Sequence, residues 1–350
     1  MPVLAERCAG FLGKGHVSGT KALAMNLQWP EAARLKSCPF SSGIGMNTHP
    51  SISVIVPTYN RDHSLMDCLE SVLAQEYGGP METIVVDQTR EHSQQVLDFL
   101  ERNCRKVSRI VQRKPGPGKA RNTGAQAAAN DLLVLVDDDM VLPSGAVARL
   151  AGHVLAGPNR AVAGLPISDK APESSFTEYA RFYGDRIRNV KSGLIEHRYY
   201  IPAPACIPAG SYRQLGGFDE VLGRLSPAAY GEDDDFWYRA GRAGIRLFID
   251  PGLRVAHRDH LAGGCESRRT DPELARKYHM RSLAYLQIKH HGRMGARGWL
   301  TLARGYIANR EILQNRPSQI IRNFITARKA VCEVRDFVAG GARFYSRGLL

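Results

Sequence analysis

The sequence has no apolar run long enough to span a membrane as a helix. Such a helix needs about 18 or more consecutive apolar residues, and no stretch of that length occurs among the 350 residues. The segment before Ser51 also lacks the long apolar core of a secretory signal peptide. We therefore expect neither a transmembrane helix nor a cleaved leader, and Met46 is an alternative start of the protein.

Cysteine pairs with metal-binding or disulfide spacing are missing too. The seven cysteines are scattered, and no two of them form a Cys-x-x-Cys pair. A zinc site and a disulfide framework are therefore not expected, and a reducing, cytoplasmic location is predicted. Because 43% of the residues are hydrophobic, the chain can build a sizeable core of the ordinary globular type.

What the sequence does contain is an apolar run that ends in three carboxylates. Residues 132–136 are apolar, and Asp137, Asp138 and Asp139 follow directly. A run this short predicts a buried strand of a parallel sheet, with the acids at its carboxyl end, where open α/β sheets bind ligands. In an extended chain Asp137 and Asp139 would point to the same side. Adjacent carboxylates repel one another, which favours a site for a hard divalent cation. An acidic loop that caps the next helix is the simpler alternative.

Strand and helix patterns alternate along the chain before these acids. The β-branched runs 53–56 and 83–86 and the run 107–111 each predict a strand, and helical spacing of apolar residues separates them. This alternation predicts right-handed βαβ units. We therefore expect an α/β fold with a mostly parallel central sheet flanked by helices.

Six short motifs lie between Ser51 and His257, about 60% of the chain. They are Val-Ile-Val-Pro-Thr-Tyr-Asn-Arg at 54–61, Val-Val-Asp at 85–87, Ala-Arg-Asn-Thr-Gly at 120–124, Asp-Asp-Asp at 137–139, Gly-Gly-Phe-Asp-Glu at 216–220 and Gly-Glu-Asp at 231–233. One such motif would be weak, but the ordered set is specific, and it resembles that of family 2 glycosyltransferases with the GT-A fold. The resemblance implies transfer of a sugar, with inversion, from a nucleoside diphosphate sugar to an acceptor hydroxyl in polysaccharide or glycoconjugate synthesis.

The resemblance also implies a metal-dependent donor site. Mn²⁺ or Mg²⁺ would neutralise the departing diphosphate. Asp139 matches the family's metal ligand, Asp137 the residue that contacts the ribose or the metal, and His257 the histidine that completes many such sites. Asp87 matches the acid that reads the base and ribose. The other matches to the nucleotide-sugar site are Pro57, Thr58, Tyr59, Arg61, Gly118, Arg121, Asn122 and Asp138.

Several of these matches have alternatives. Gln88 stands where family members often carry a second acid, which leaves the donor's base open. His260 is a rival to His257, and either histidine is as well explained by a satisfied surface or core position. Arg121, beside Gly118 at a helix start, suits a phosphate-facing place, but a solvated helix position is its alternative.

The second half of the chain supplies the implied base. An inverting transfer needs a general base on the acceptor hydroxyl, and Asp233 matches that residue, while Glu232 is expected to support the acceptor or the helix. Acids in a first helical turn are also favoured by the helix dipole, so capping is the alternative. Asp235 is expected to pair with Arg239 at i+4. The sugar and acceptor pocket is assigned to Gly217, Phe218, Asp219 and Glu232.

The basic charge is concentrated near the carboxyl end. From residue 281 onward there are thirteen Lys and Arg but three acids, a net charge of +10 out of the chain's +13. A basic amphipathic helix predicts either peripheral contact with the inner face of an anionic membrane or simple packing on the catalytic domain. The expected acceptor is a saccharide or a lipid-linked molecule. Nucleic acid is disfavoured because no recognition motif is visible. The apolar stripe of this helix is Ile320, Phe324, Ala327, Val331, Val334 and Val338.

Two other classes of protein fit parts of the sequence. A metal-dependent nucleotidyltransferase would carry a glycine-rich, basic loop after the first strand, where Pro57 to Asn60 stand instead. A non-catalytic sugar-nucleotide-binding protein would be expected to lack Asp139 or Asp233.

We predict an N-terminal extension (1–50), a catalytic domain (51–265) with a nucleotide-binding half (51–140) and an acceptor half (141–265), and a basic helical segment (266–350).

Overall fold

The structure, a computed structural model, describes residues 49–169, 193–225, 231–258, 272–308 and 310–345. Within these residues, nine strands form one sheet. The proposed extension as far as residue 48, with Met46, and the rival ligand His260 lie outside the described residues. The strands are β1 (Ile52–Thr58), β2 (Met81–Asp87), β3 (Val107–Val111), β4 (Leu132–Leu135), β5 (Met140–Val141), β6 (Arg160–Ser168), β7 (Ile195–His197), β8 (Ala205–Pro208) and β9 (Arg246–His257).

Helices lie on both faces of the sheet and make up the carboxyl end of the described chain. They are α1 (Asp62–Leu73), α2 (Gln94–Arg102), α3 (Pro117–Ala127), α4 (Ala146–Leu155), α5 (Ala209–Gln214), α6 (Glu220–Leu225), α7 (Glu232–Arg242), α8 (Pro272–His291), α9 (Ala296–Leu302), α10 (Arg310–Asn315) and α11 (Gln319–Tyr345), with a π-helical turn (Ala303–Ile307) after α9.

The sheet order is β3-β2-β1-β4-β8-β6-β9-β5, with β7 paired to β9. The first four of these strands are parallel, as the βαβ pattern predicts. β8 then runs antiparallel to both β4 and β6, so the rest of the sheet is mixed. Because β1, β2 and β4 end at the same edge, Thr58, Asp87 and the acids after Leu135 are brought together there.

Alternate residues of the strands enter two separate cores. Val54 and Val56 face Leu65 and Leu69 of α1, whereas Ile55 packs with Ala120 of α3 and residues of α7 on the other face. The helix α3 approaches β1 very closely, since a Cβ on Gly124 would lie 2.5 Å from Ile55 Cγ2. The glycine of the Ala-Arg-Asn-Thr-Gly motif therefore sets how close α3 comes to the sheet.

The C-terminal helices form a third core together with α6. Residues of α8 and α11 pack around Leu222 of α6. Of the predicted apolar stripe on α11, Ile320, Ala327, Val331, Val334 and Val338 lie in or against this core, and Phe324 is 46% exposed. Packing, one of the two alternatives for this stripe, is therefore what the structure has. None of the described helices is both long and apolar enough to cross a membrane.

A single asparagine holds the loop that precedes α6. Asn122 Nδ2 donates to the carbonyl oxygen of Phe218 (2.9 Å) and to Glu220 Oε1 (3.1 Å), and its Oδ1 accepts from Phe218 N–H and from the Tyr212 hydroxyl, both at 2.8 Å. Gly217 has φ +71°, and a Cβ there would lie 2.4 Å from Asn122 Oδ1. The double glycine thus lets the loop turn and close onto α3.

Gly217→Ala should destabilise the fold more than Gly216→Ala. Both glycines have left-handed φ, +71° and +74°, but a Cβ on Gly216 meets nothing within 4 Å. Gly216→Ala should cost about 1–2 kcal/mol of unfolding free energy from backbone strain alone, whereas Gly217→Ala should cost more because Asn122 must move. Urea denaturation of both variants measures the difference. Equal losses would show that the contact with Asn122 contributes nothing.

Candidate active site

Three charged side chains beyond the ends of β1 and β4, those of Arg61, Asp138 and Asp139, form a largely buried cluster. The paired part of β1 and β4 ends at Ile55 and Leu135, and three residues beyond it on each segment Thr58 Oγ1 donates to Asp138 Oδ2 at 2.7 Å. Arg61 pairs with Asp138 at 3.0 Å and also with Asp139. Asp138 and Asp139 are both buried. The carboxyl edge of the sheet therefore holds two acids against one guanidinium.

The two acids differ in their ionisation. Burial raises the pKa of Asp138 to about 7, a rise that the charge of Arg61 only partly opposes. Burial would also raise the pKa of Asp139, but the hydrogen bond and charge of His257, together with Arg61, hold it below its ordinary value. Asp139 is therefore the more strongly anionic of the pair.

Asp139 and His257 are the residues best placed to hold a divalent cation. Met140 of β5 pairs with His257 of β9, which brings His257 Nε2 to 3.3 Å from Asp139 Oδ2. The other oxygen, Asp139 Oδ1, is buried without a hydrogen-bond partner in the described part of the chain. Both side chains are ordinary Mn²⁺ ligands. The residues present thus fit a cation that takes two ligands from the protein and the rest from its substrate or water.

Asp137 does not join that pair. The chain turns at residues 138–139 instead of staying extended, and the Asp137 carboxylate pairs with Arg121 at 2.7 Å. Among the described residues, no group of three or more His, Cys, Asp or Glu side chains could hold a metal ion. The structure therefore brings together two of the three predicted metal ligands.

Arg121 connects the loop after β4 to the start of α7. Its guanidinium lies 2.7 Å from Asp137, 3.3 Å from Glu232 and 3.5 Å from Asp233. The side chain is only 7% exposed, which excludes the alternative of a solvated helix position. Burial alone would lower the pKa of Arg121, but the three acids raise it above its ordinary value. The arginine is a permanent buried cation between the Asp137 loop and α7.

The two acids that open α7 have different surroundings. Glu232 is buried, and burial together with the charge of Asp233 raises its pKa to about 8 against the pull of Arg121. The Asp233 side chain keeps 31% of its surface exposed. Asp235 pairs with Arg239 at 2.8 Å, as the i,i+4 spacing predicts. Of the Glu-Asp pair, Asp233 has the more exposed side chain.

Asp87 is committed to a network that the sequence did not indicate. Its Oδ1 accepts from Thr89 N–H at 2.9 Å, and its Oδ2 contacts His92 Nε2 and Arg109 Nε, both at 2.8 Å. His92 in turn contacts Asp62 at 2.6 Å. Neither His92 nor Arg109 belongs to a motif, so only the three-dimensional arrangement reveals them. Base reading by Asp87 stays a prediction, and both of its oxygens already have partners within the chain.

Gln88, which stands where family members often carry a second acid, has a clear structural role. Its Oε1 accepts from Gly116 N–H at 2.6 Å, and its Nε2 donates to the Thr58 carbonyl at 3.3 Å. A carboxylate could not make the second bond, because it has no hydrogen to donate. Gln88 therefore ties the turn before α3 to the end of β1.

The remaining predicted residues lie along the same edge. Pro57 is buried within β1, Tyr59 follows that strand half-buried, and Gly118 lies in the first turn of α3. A Cβ on Gly118 would lie 3.2 Å from the Cβ of Phe218. Asp219, beyond Phe218, accepts from Tyr285 and Lys289 of α8 at 2.7 Å each, a contact with the C-terminal helices that no sequence motif signals.

Comparisons with known proteins agree with this architecture. The chain is 27% identical over 217 residues to the pre-mycofactocin glycosyltransferase of Mycobacterium tuberculosis, covering 61% of this chain and 43% of that protein. It is 34% identical over 110 residues to an N-acetylglucosaminyltransferase of Rhizobium leguminosarum bv. phaseoli, covering 30% of this chain and 26% of that protein. The chain thus spans less than half the length of these two curated relatives.

Two solved structures have a similar fold. S. aureus TarS 1-349 in complex with UDP-GlcNAc has a TM-score of 0.56 at 19% identity, covering 80% of this chain and 81% of that one. The mannosyltransferase PcManGT from Pyrobaculum calidifontis, in complex with GDP-Man and Mn²⁺, has a TM-score of 0.52 at 17% identity, covering 98% and 87%. Residues 53–221 match the family model described as "Glycosyl transferase family 2". These comparisons support a family 2 glycosyltransferase with the GT-A fold.

Proposed function

We propose that the protein transfers a sugar from a nucleoside diphosphate sugar to an acceptor hydroxyl with inversion, using Mn²⁺ or Mg²⁺. The observation that carries this proposal is the position of Arg121, which lies between Asp137 on the donor side and Asp233 on the acceptor side. One buried guanidinium thus sets the spacing of the two half-sites. The match to the family model and the nucleotide-sugar complexes of the similar structures support the choice of donor.

The donor would lie along the carboxyl ends of β1, β2 and β4. Arg61 and Arg121 supply positive charge there, and guanidinium groups suit phosphate oxygens. Asp139 and His257 would hold the divalent cation, which when bound supplies Lewis-acid stabilisation of the departing diphosphate. The Mn²⁺ in the PcManGT complex supports a cation of this kind.

Asp233 would act as the general base. In the proposed step, the acceptor oxygen forms a bond to the anomeric carbon as the bond from that carbon to the diphosphate breaks, and the hydroxyl proton passes to Asp233. Displacement from the opposite face inverts the anomeric centre. Glu232, buried and with a raised pKa, would be protonated near neutral pH and would hold the acceptor or the helix without competing for the proton.

Asp139→Ala should abolish metal-dependent turnover while the protein stays folded. Removing the carboxylate takes away one of the two protein ligands, and losing the metal's charge stabilisation should cost several kcal/mol, roughly 3 or more, in the barrier. Release of nucleoside diphosphate, with and without added Mn²⁺, measures the effect, and circular dichroism checks the fold. Wild-type turnover that persists in a chelator would contradict the metal assignment.

Asp233→Asn should lower kcat by a factor of about 10² to 10⁴ with little change in donor binding. The substitution keeps the size of the side chain and removes its ability to accept a proton. Glu232→Gln is the matched control, because a carboxyl that is already protonated loses little on becoming an amide. Single-turnover rates separate chemistry from binding. A large rate loss in Glu232→Gln together with a small loss in Asp233→Asn would show that the general base is Glu232 and not Asp233.

We also propose that the acceptor is a saccharide or lipid-linked saccharide met at an anionic membrane surface, with the cytoplasmic location remaining a prediction. The support lies on exposed residues of α11 beside the packed stripe. Ile321, Phe324 and Ile325 are 74%, 46% and 49% exposed. Arg328 and Lys329 are exposed one turn further on. Apolar side chains flanked by cations suit an anionic lipid interface.

The protein should bind vesicles that contain anionic lipid, and salt should weaken the binding. Each basic residue near such a surface is worth about 1 kcal/mol, so Arg328→Gln with Lys329→Gln should lower binding severalfold. Arg105→Gln with Lys106→Gln, exposed residues before β3, makes the same charge change elsewhere and should have little effect. Flotation at two salt concentrations is the measurement. Equal binding by both double variants would reduce the basic face to a solvated surface.

A further inference from the structure

The end of α8 carries a lysine that bridges two functional elements. Lys289 Nζ lies 2.7 Å from Asp219 Oδ2 and 2.8 Å from Asp235 Oδ1. Asp219 ends the loop that carries Gly217 and Phe218, and Asp235 lies two residues after the proposed base on α7. The lysine therefore connects the sugar-pocket loop to the helix that carries Asp233.

Both carboxylates use their other contacts to fix their own elements. Asp219 Oδ1 accepts from Val221 N–H at 2.8 Å, which holds the first turn of α6, and its Oδ2 also accepts from the Tyr285 hydroxyl at 2.7 Å. Each bond fixes the carboxylate relative to a different helix. Asp219 is therefore a fixed anchor for the loop.

Asp235 is held even more firmly. Its side chain is fully buried, Arg239 contacts one oxygen at 2.8 Å, and His290 contacts the other at 2.9 Å. Burial would raise the pKa of this carboxyl, but His290, Arg239 and Lys289 hold it well below its ordinary range. Asp235 thus stays ionised, and a buried anion depends on its cations.

A second arginine contact completes the connection. Arg239 donates to the carbonyl oxygens of Leu215 and Gly217, both at 2.6 Å. The loop is therefore tied to α7 from within the catalytic domain by Arg239 and from the C-terminal helices by Lys289. The core formed by α8, α11 and Leu222 holds α8, the helix that carries Lys289, against the rest of the protein.

We propose that Lys289 is a positioning residue, and that through it the C-terminal helices hold the sugar-pocket loop and α7 at the spacing that transfer requires. The inference rests on the proposed glycosyl transfer. It makes the C-terminal segment part of the catalytic unit, because α8 joins the sugar-pocket loop to α7, the helix that carries the proposed base Asp233. An effective near-attack geometry is sensitive to shifts of about 1 Å, which can cost about 100-fold in rate.

Lys289→Met tests this proposal, since methionine keeps much of the length and removes the charge. We expect kcat to fall by about 10- to 100-fold, with KM for the donor changed by less than about threefold and the ratio of donor hydrolysis to transfer increased. Lys289→Arg keeps the charge and should recover most of kcat. Lys277→Met, twelve residues earlier on the same helix, should behave as wild type. An unchanged kcat in Lys289→Met, or no recovery with Lys289→Arg, would overturn the proposal.

Hydrogen–deuterium exchange separates this inference from the proposed reaction. In Lys289→Met, the amides of residues 215–222 and 231–242 should exchange faster than in wild type, whereas Lys277→Met should leave them unchanged. This result does not depend on which substrate is used. If the wild-type protein transfers no sugar but Lys289→Met still exchanges faster, the proposed reaction is overturned and the bridging role of Lys289 stands. Unchanged exchange in Lys289→Met would overturn the bridge itself.

Discussion

The pairing of two arginines with five clustered acids is the interaction on which the site depends. Arg61 pairs with the buried acids after β4, and Arg121 lies within 3.5 Å of acids from the Asp137 loop and from α7. Removing a buried ion's partner typically costs about 3–5 kcal/mol. The three adjacent acids at 137–139 are therefore stable in the fold because the segment after β1 and the helix α3 place Arg61 and Arg121 at the same edge of the sheet. Everything proposed for catalysis uses the charge that this arrangement holds in place.

The balance of charge also assigns different parts to neighbouring acids. Asp138 has a pKa raised to about 7 by burial, while Asp139 is held ionised and keeps one oxygen unpartnered among the described residues. Glu232 is buried and Asp233 is accessible. In the proposed transfer, each pair therefore offers one acid for structure and one for chemistry. This separation follows from burial, which residue type alone does not specify.

Local patterns predicted the parallel half of the sheet and the edge at which the acids meet, because apolar runs and strand ends follow from period and composition. The direction of β8 was not predictable, since a run as short as Ala205–Pro208 carries no signal of its partner. The same limit applies to contacts made across long sequence separations. His92, which contacts Asp87, and Lys289, which contacts α7, belong to no motif. Asn122 does belong to one, but its sequence context did not indicate its contact with the Phe218 loop, so only packing reveals these contacts.

Product analysis tests the central claim, glycosyl transfer at this edge, most directly. The full chain would be incubated with Mn²⁺, an acceptor mixture and a panel of nucleoside diphosphate sugars, and the products followed by ³¹P and ¹H NMR. The account predicts release of nucleoside diphosphate together with a new glycosidic bond of inverted anomeric configuration. Release of pyrophosphate, or a product with retained configuration, would contradict it.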